Sequence, residues 1–307
     1  MNAHRHMFAA GARGSLAAVC TAILTAVGLA TAGSSIVKKP IDPLYDRLAA
    51  ELAAGKPLVI TVYVALCDND SQGIVPVKNR AICRGDDPAD NMYWASRGGL
   101  AGFMRRAGWK RVAFAETPGG PILVRSAWRK VLLADGKLSE RGVKGPVPTY
   151  VVGLAYRGRE IRTAMIDYFH AVHRDAPLNI ALETGETIAA GGASHAVGYV
   201  GHDYFYDTAE PEALLAEATG DSALAKGAFA LSCTGNRLIR PGLLRPNVHI
   251  LLLNRTLAFP GAWSVGGIAK GVASGRDGAG IRREAAAAFS LGMGISLGAA
   301  LGGFAGE

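Results

Sequence analysis

Short apolar runs alternate along this chain with longer polar and amphipathic segments. Residues 57–66, 149–155 and 248–253 are runs of this kind, bounded by Gly, Pro or polar residues. Such runs predict buried strands of a parallel sheet. Because segments with helical patterning lie between them, the order predicts an α/β fold, a three-layer αβα sandwich with a mostly parallel sheet.

The intervening segments predict the remaining elements. Asp87 and Pro88 are a favourable start for a helix that Gly108 can close. Strands are expected over residues 109–115 and, as a hairpin or inserted arm, over 121–133. Further helices are predicted over residues 41–54, 159–173, 211–218, 262–273 and 282–301.

Two of the apolar runs end on a reactive side chain. Residues 193–201 lead directly into His202, and residues 227–232 lead directly into Cys233. In open α/β sheets the ligand crevice lies outside the carboxyl ends of the strands. A His and a Cys at the ends of neighbouring strands would therefore face one crevice, where an imidazole can hold a thiolate ready for attack.

This order of strand, Gly-His, helix, strand and Cys resembles the caspase-like peptidases, which include gingipains, clostripain and legumain. The resemblance implies a caspase-like fold in which His202 is the general base and Cys233 the nucleophile. It also implies that the N–H groups of Cys233 and of Gly201 or Asp203 bind the oxyanion, with Ser232 beside them. The implied protein is a cysteine peptidase or related amide hydrolase that acts on a peptide or protein and needs no cofactor.

A competing hypothesis is a non-catalytic binding module that uses the same crevice for a peptide or small ligand. A Cys that closes an apolar strand is often only a small buried hydrophobe. A zinc site built from His170 and His173 with His195 or His202 is a further alternative, although no His-Glu-x-x-His motif is present.

Polar residues also follow the strand predicted over 57–66. Since parallel strands deliver their ends to one edge of the sheet, Asp68, Asn69 and Asp70 are candidate substrate-binding residues. Nearby blocks over residues 72–77, 85–88 and 91–94 have the particular composition of a motif, or of a well-ordered loop built by Pro, Gly and Asp turns.

The N-terminus predicts export. A short basic segment, an apolar stretch over residues 15–30 and a small-x-small site before Gly33 are typical of a signal peptide over residues 1–32. The expected location is periplasmic or secreted. In an oxidising compartment Cys67 and Cys83 are candidates for a disulfide, which leaves Cys233 as the odd thiol.

The composition of the chain limits the remaining possibilities for its domain organisation and binding partners. The chain has 307 residues, of which 50% are hydrophobic and 19% charged, so residues 33–307 can form a single packed domain. The net charge of +8 is scattered, and no basic run is interleaved with aromatics, which argues against nucleic-acid binding. Residues 285–305 are uncharged and Gly-rich, so this segment or the N-terminal apolar stretch could associate with a membrane. The alternative for residues 285–305 is a helix packed closely on the sheet.

Overall fold

The structure, a computed structural model, describes residues 40–73, 77–117, 119–257 and 261–306, which belong to one compact unit. The predicted signal peptide lies outside these residues. Eight strands of the described chain form the main sheet, and two more form a separate hairpin. The strands are β1 (Leu58–Ala65), β2 (Lys110–Glu116), β3 (Ile122–Leu133), β4 (Pro146–Tyr156), β5 (Pro177–Ala181), β6 (Thr187–Gly191), β7 (Ala196–Val200), β8 (Lys226–Leu231), β9 (Val248–Asn254) and β10 (Phe304–Ala305).

The main sheet has the strand order β10-β9-β8-β7-β1-β4-β3-β2. Strands β4, β1, β7, β8 and β9 run parallel to one another. At the edges β10 pairs antiparallel with β9, and β3 pairs antiparallel with both β4 and β2. The predicted α/β fold with a mostly parallel sheet is therefore confirmed.

Helices cover both faces of this sheet. They are α1 (Asp42–Ala53), α2 (Leu100–Arg106), α3 (Gly136–Glu140), α4 (Ile161–His173), α5 (Pro211–Glu217), α6 (Gly235–Leu238), α7 (Arg240–Leu243), α8 (Trp263–Ala273), α9 (Gly278–Met293) and α10 (Leu297–Gly302). The buried core divides into two clusters. One packs under α1, α2, α8 and α9, and the other under α4, α5 and α7. We call these sides the α8 face and the α4 face.

Strand β1 occupies the middle of the sheet because it has no polar face. All eight of its residues are buried. Ile60 and Val64 contribute to the core of the α8 face, whereas Val59 and Tyr63 contribute to that of the α4 face. A strand that is apolar on both sides needs helices on both sides, and this is the arrangement that β1 receives.

The prediction that a helix begins at Asp87 is wrong. Residues 87–99 form turns, and the helix begins only at Leu100. At this point the side chain of Asn91 takes part in the turn, because its Oδ1 accepts the N–H of Tyr93 at 3.1 Å. This buried side chain is also bound to Cys67, which holds residue 91 against the end of β1 and prevents a regular helix from starting there.

Two other predicted elements differ in detail. The hairpin or arm expected over residues 121–133 is the single strand β3, which pairs on both sides. The helix expected over 282–301 is divided into α9 and α10, because Gly294 adopts a left-handed conformation with φ of 69°. Among the described residues no helix is both long and apolar enough to cross a membrane.

Candidate functional site

The site begins where β7 and β8 end. These strands are parallel neighbours, and their last paired residues are Val200 and Leu231. Both side chains belong to the core of the α8 face. His202 and Cys233 each come two residues later, beyond the regular strands, so both lie at the carboxyl edge formed by β7 and β8. The prediction that the two residues follow adjacent parallel strands is confirmed.

His202 is held by a carboxylate that the sequence analysis did not select. Its ring nitrogen Nε2 lies 2.9 Å from Oδ2 of Asp207, and the residue is only 7% exposed. Burial lowers the pKa of the imidazole, and the charge and hydrogen bond of Asp207 partly oppose that effect. Because a carboxylate accepts the proton on Nε2, the neutral ring has Nδ1 as its basic nitrogen.

Asp207 is brought to His202 by a single turn of 3-10 helix, Tyr204–Tyr206. The carboxylate of Asp203 caps this turn by accepting the N–H of Phe205 at 3.1 Å. The chain therefore folds back, so that a residue five positions after His202 reaches its ring. The ring of Tyr206 is stacked near that imidazole, with centroids 6.4 Å apart and planes inclined by 21°.

The loop after β1 supplies a second contact to Asp207. The N–H of Gly73 donates to Oδ2 of Asp207 at 3.2 Å. A β-carbon at position 73 would lie only 2.2 Å from Oδ1 of Asp207, so any larger residue there would displace this carboxylate. The block over residues 72–77, which the sequence marked as motif material, thus reaches the His202 side of the site through its glycine.

Cys233 is half-buried and lies in the turn that joins β8 to α6. The next residue, Thr234, has φ of 48° and is the one non-glycine residue at positive φ in the described chain. Burial raises the pKa of the Tyr93 phenol, and a negative charge on Cys233 adds to this effect, so the two side chains interact electrostatically. The Tyr93 phenol therefore stays protonated.

A buried carboxyl group lies immediately behind the pair. Asp203 is fully buried, and its Oδ2 accepts the hydroxyl of Ser232 at 3.4 Å. Burial raises the pKa of Asp203 to about 7. The phenol of Tyr199 donates to the carbonyl oxygen of His202 at 2.6 Å, which fixes the backbone at this point.

The predicted oxyanion and cleft residues differ in whether their hydrogen-bonding groups are already used within the protein. The N–H of Gly201 donates to the carbonyl oxygen of Leu231 at 3.3 Å, so it continues the pairing of β7 with β8 rather than facing a substrate. The hydroxyl of Ser232 is used by Asp203. The second oxyanion donor was expected to be the N–H of Gly201 or of Asp203. Because the N–H of Gly201 is bound to Leu231, the N–H of Asp203 is the remaining candidate.

The predicted substrate-binding residues contact their own loop. Asp68 caps the turn through the N–H of Asp70 and the hydroxyl of Ser71. Asn69 exchanges two hydrogen bonds with the backbone of Val77, and Asp70 pairs with Arg80. These hydrogen bonds and the ion pair thus shape the loop itself, and the contact of this loop with the His202 side is made by Gly73.

The predicted disulfide between Cys67 and Cys83 is confirmed, with α-carbons 4.7 Å apart. It closes the loop that contains Gly73. The amide of buried Asn91 adds three hydrogen bonds to the backbone of Cys67 and Arg84. These contacts fix the loop to the carboxyl end of β1, beside β7.

Sequence reasoning missed Asp207 and Tyr206 as site residues, and it noted Tyr93 only within a block of undefined role. A usable signal was present, since Asp203 is a good cap for a short turn that would return residue 207 toward residue 202. The interaction of Tyr93 with Cys233 had no such signal, because it depends on the irregular turns around Asn91.

The zinc alternative gains no support. Among the residues that the structure describes, no group of three or more His, Cys, Asp or Glu side chains is placed to hold a metal ion. The ring nitrogens of His173 are bound to the carbonyl oxygens of Ala218 and Gly242. His195 follows the hairpin at the amino end of β7, where its Nδ1 accepts the N–H of Val59.

No protein-family model, curated protein or solved structure matches the chain.

Proposed function

We propose that the protein is a cysteine peptidase or related amide hydrolase of caspase-like fold, in which His202 and Cys233 form the catalytic dyad. The observation that carries this proposal is their common position just after the carboxyl ends of the parallel neighbours β7 and β8. The carboxylate of Asp207 on Nε2 supports it further, because it leaves Nδ1 as the nitrogen that can take the thiol proton.

The reaction uses these groups in two steps. First, Nδ1 of His202 takes the proton of the Cys233 thiol, and the sulfur attacks the carbonyl carbon of the scissile amide. The imidazolium then gives its proton to the leaving amine as the C–N bond breaks, which leaves a thioester on Cys233. In the second step His202 takes a proton from water as the water oxygen attacks the thioester carbonyl carbon. The C–S bond then breaks, which releases the acid, and the imidazolium returns its proton to the departing Cys233 thiolate.

Asp207 acts in this scheme as a positioning residue. Its carboxylate fixes the tautomer of His202 and stabilises the imidazolium that forms in both steps. The developing oxyanion accepts hydrogen bonds from the backbone N–H groups of Cys233 and Asp203. Preorganised backbone donors of this kind favour the tetrahedral state over the planar substrate.

The same proposal includes export. The disulfide between Cys67 and Cys83 suits an oxidising compartment, where such bonds form and persist. The expected substrate is an extended peptide or protein segment in the periplasm or outside the cell. Sequencing the N-terminus of the protein recovered from that compartment tests the cleavage expected before Gly33.

The activity is tested with a mixed peptide library and mass-spectrometric detection of the products. Wild-type protein should cleave, and both Cys233→Ala and His202→Gln should lose cleavage. His170→Gln is the matched control, because His170 lies on α4 and its Nε2 contacts the carbonyl oxygen of Glu217, outside the site. Equal cleavage by wild type and Cys233→Ala would refute the dyad.

Thiol reactivity separates the two classes of function. In a peptidase, a peptide with an electrophilic ketone should label Cys233 at neutral pH in the folded protein. A protein that binds library peptides, cleaves none of them and leaves Cys233 unlabelled until it is unfolded would be a binding module instead.

A further inference from the structure

Tyr206 connects the two halves of the candidate site. Its phenol oxygen lies 2.6 Å from the hydroxyl oxygen of Thr234, which directly follows Cys233. Its ring is stacked near the imidazole of His202. One side chain therefore lies beside the proposed base and binds the turn that presents the proposed nucleophile.

Because Tyr206 is exposed, core packing does not explain why its side chain lies beside His202 and Thr234. The side chain is 51% exposed, whereas Phe205, the preceding residue in the same turn, is buried in the core of the α4 face. An exposed tyrosine gains little from burial of its ring. Its stacking near His202 and its bond to Thr234 are thus what holds it in place.

The partner of Tyr206 lies at a strained point of the backbone. Left-handed conformations are unfavourable for β-branched residues such as Thr, and they persist only where surrounding contacts hold them. At Thr234 the N–H donates to the carbonyl oxygen of Thr256 at 3.1 Å, and the side chain is held by Tyr206. These two contacts fix the direction in which the turn presents Cys233.

Tyr206 and Asp207 also restrict the imidazole in complementary ways. Asp207 binds Nε2 at the edge of the ring, and the ring of Tyr206 lies nearly parallel to the imidazole, with centroids 6.4 Å apart. We propose that Tyr206 is a positioning residue, which through its ring and its bond to Thr234 holds the imidazole of His202 in register with the thiol of Cys233. This inference rests on the proposed function and adds a residue to it.

The test measures the reactivity of Cys233 without requiring a known substrate. The rate of alkylation by iodoacetamide is followed across pH at the Cys233 peptide by mass spectrometry, since Cys67 and Cys83 are in a disulfide. A His202 that is correctly placed lowers the pH at which the thiolate forms. Tyr206→Phe and Thr234→Val each remove one partner of the hydroxyl pair while they preserve shape.

Each of these two variants should slow alkylation at neutral pH about threefold, within the range for loss of one hydrogen bond. The double variant should be no slower than either single variant, because both changes break the same bond. Tyr206→Ala, which also removes the ring, should be slower still. Thr234→Ser retains the hydroxyl and should keep the wild-type profile, and equal thermal unfolding of all variants confirms that they are folded.

His202→Gln separates the failure of this inference from failure of the proposed function. If His202→Gln leaves the alkylation profile of Cys233 unchanged, the dyad itself is wrong. If His202→Gln moves the profile but Tyr206→Phe, Thr234→Val and Tyr206→Ala all match wild type, only the role of Tyr206 is overturned. Faster alkylation in these three variants would also overturn it, since Tyr206 would then be a cover over the thiol.

Discussion

The carboxylate of Asp207 lies 2.9 Å from Nε2 of His202, at the end of a turn whose start is capped by another carboxylate, Asp203. A negative charge at this distance favours the protonated imidazole, whereas burial of the ring disfavours it. The basicity of His202 thus depends on the balance of these two effects. Replacing one carboxylate oxygen of Asp207 by an amide nitrogen removes the negative charge and should change that balance.

Replacing Asp207 by Asn should therefore make protonation of His202 less favourable and raise the pH at which Cys233 becomes a thiolate. We expect an upward shift of about one unit in the pH profile of Cys233 alkylation, as for removal of an adjacent opposite charge. Asp70→Asn, in the exposed pair with Arg80, is the control and should not move the profile. An unchanged profile in Asp207→Asn would mean that the contact does not affect the thiol.

Gly73→Ala should have an effect of the same kind without altering any ionisable group. The added methyl group would lie 2.2 Å from Oδ1 of Asp207, so the carboxylate has to move away from its present position. We expect slower alkylation of Cys233 at neutral pH than in wild type. Gly119→Ala is a suitable control, because a β-carbon there meets nothing within 4 Å. Equal alkylation rates in the two variants would contradict the prediction.

The parallel part of the sheet and the two strand-end residues could be predicted because they depend on local pattern. Buried strands such as β1 and β8 are continuous apolar runs, and the topology of parallel strands then places His202 and Cys233 at one edge. The disulfide could be predicted for a similar reason, since few pairings of cysteines were available.

The contacts around the dyad could not be predicted in the same way, because they join residues that are distant in sequence. Gly73 and Asp207 are 134 positions apart, and their contact depends on how the disulfide loop folds over the end of β1. The turns around Asn91 were mistaken for a helix, since the hydrogen bonds that prevent the helix come from tertiary contacts with Cys67. The hairpin of β5 and β6 was missed because its strands are only partly buried, whereas β7, which also has five residues, is a continuous buried run.

Loss of the disulfide should destabilise the fold and loosen the loop that contains Gly73. The bridge spans 16 positions, and for a loop of this size the chain-entropy model gives a contribution of about 3 kcal/mol. We expect the double variant Cys67→Ala/Cys83→Ala to lose stability of that order in urea unfolding. Cys233→Ala, which leaves the bridge intact, is the control.

The state of the cysteines can be checked independently in the exported protein. Alkylation after unfolding without a reductant should modify Cys233 but neither Cys67 nor Cys83, as judged by peptide mass spectrometry. Modification of all three residues would show that the bridge is not formed in the compartment where the protein functions.

The buried carboxyl group of Asp203 should make stability depend on pH. Its pKa is raised from 3.8 to about 7 in the folded protein, so between these values the folded state holds a proton that the unfolded state has released. Stability should thus decrease as pH rises from about 4 to about 7, and then level off. Each unit of pKa difference corresponds to about 1.4 kcal/mol, so the total effect is a few kcal/mol.

Asp203→Asn removes this titration while it keeps the size of the side chain and an oxygen for the N–H of Phe205. Compared with wild type, the variant should gain stability steadily between pH 4 and pH 7, with the difference constant above pH 7. Urea unfolding of both proteins across this range measures the difference directly, and Asp70→Asn serves as the surface control. If the curves of Asp203→Asn and wild type stay parallel at every pH, Asp203 remains ionised in the folded protein, and its pairing with Ser232 must be stronger than burial.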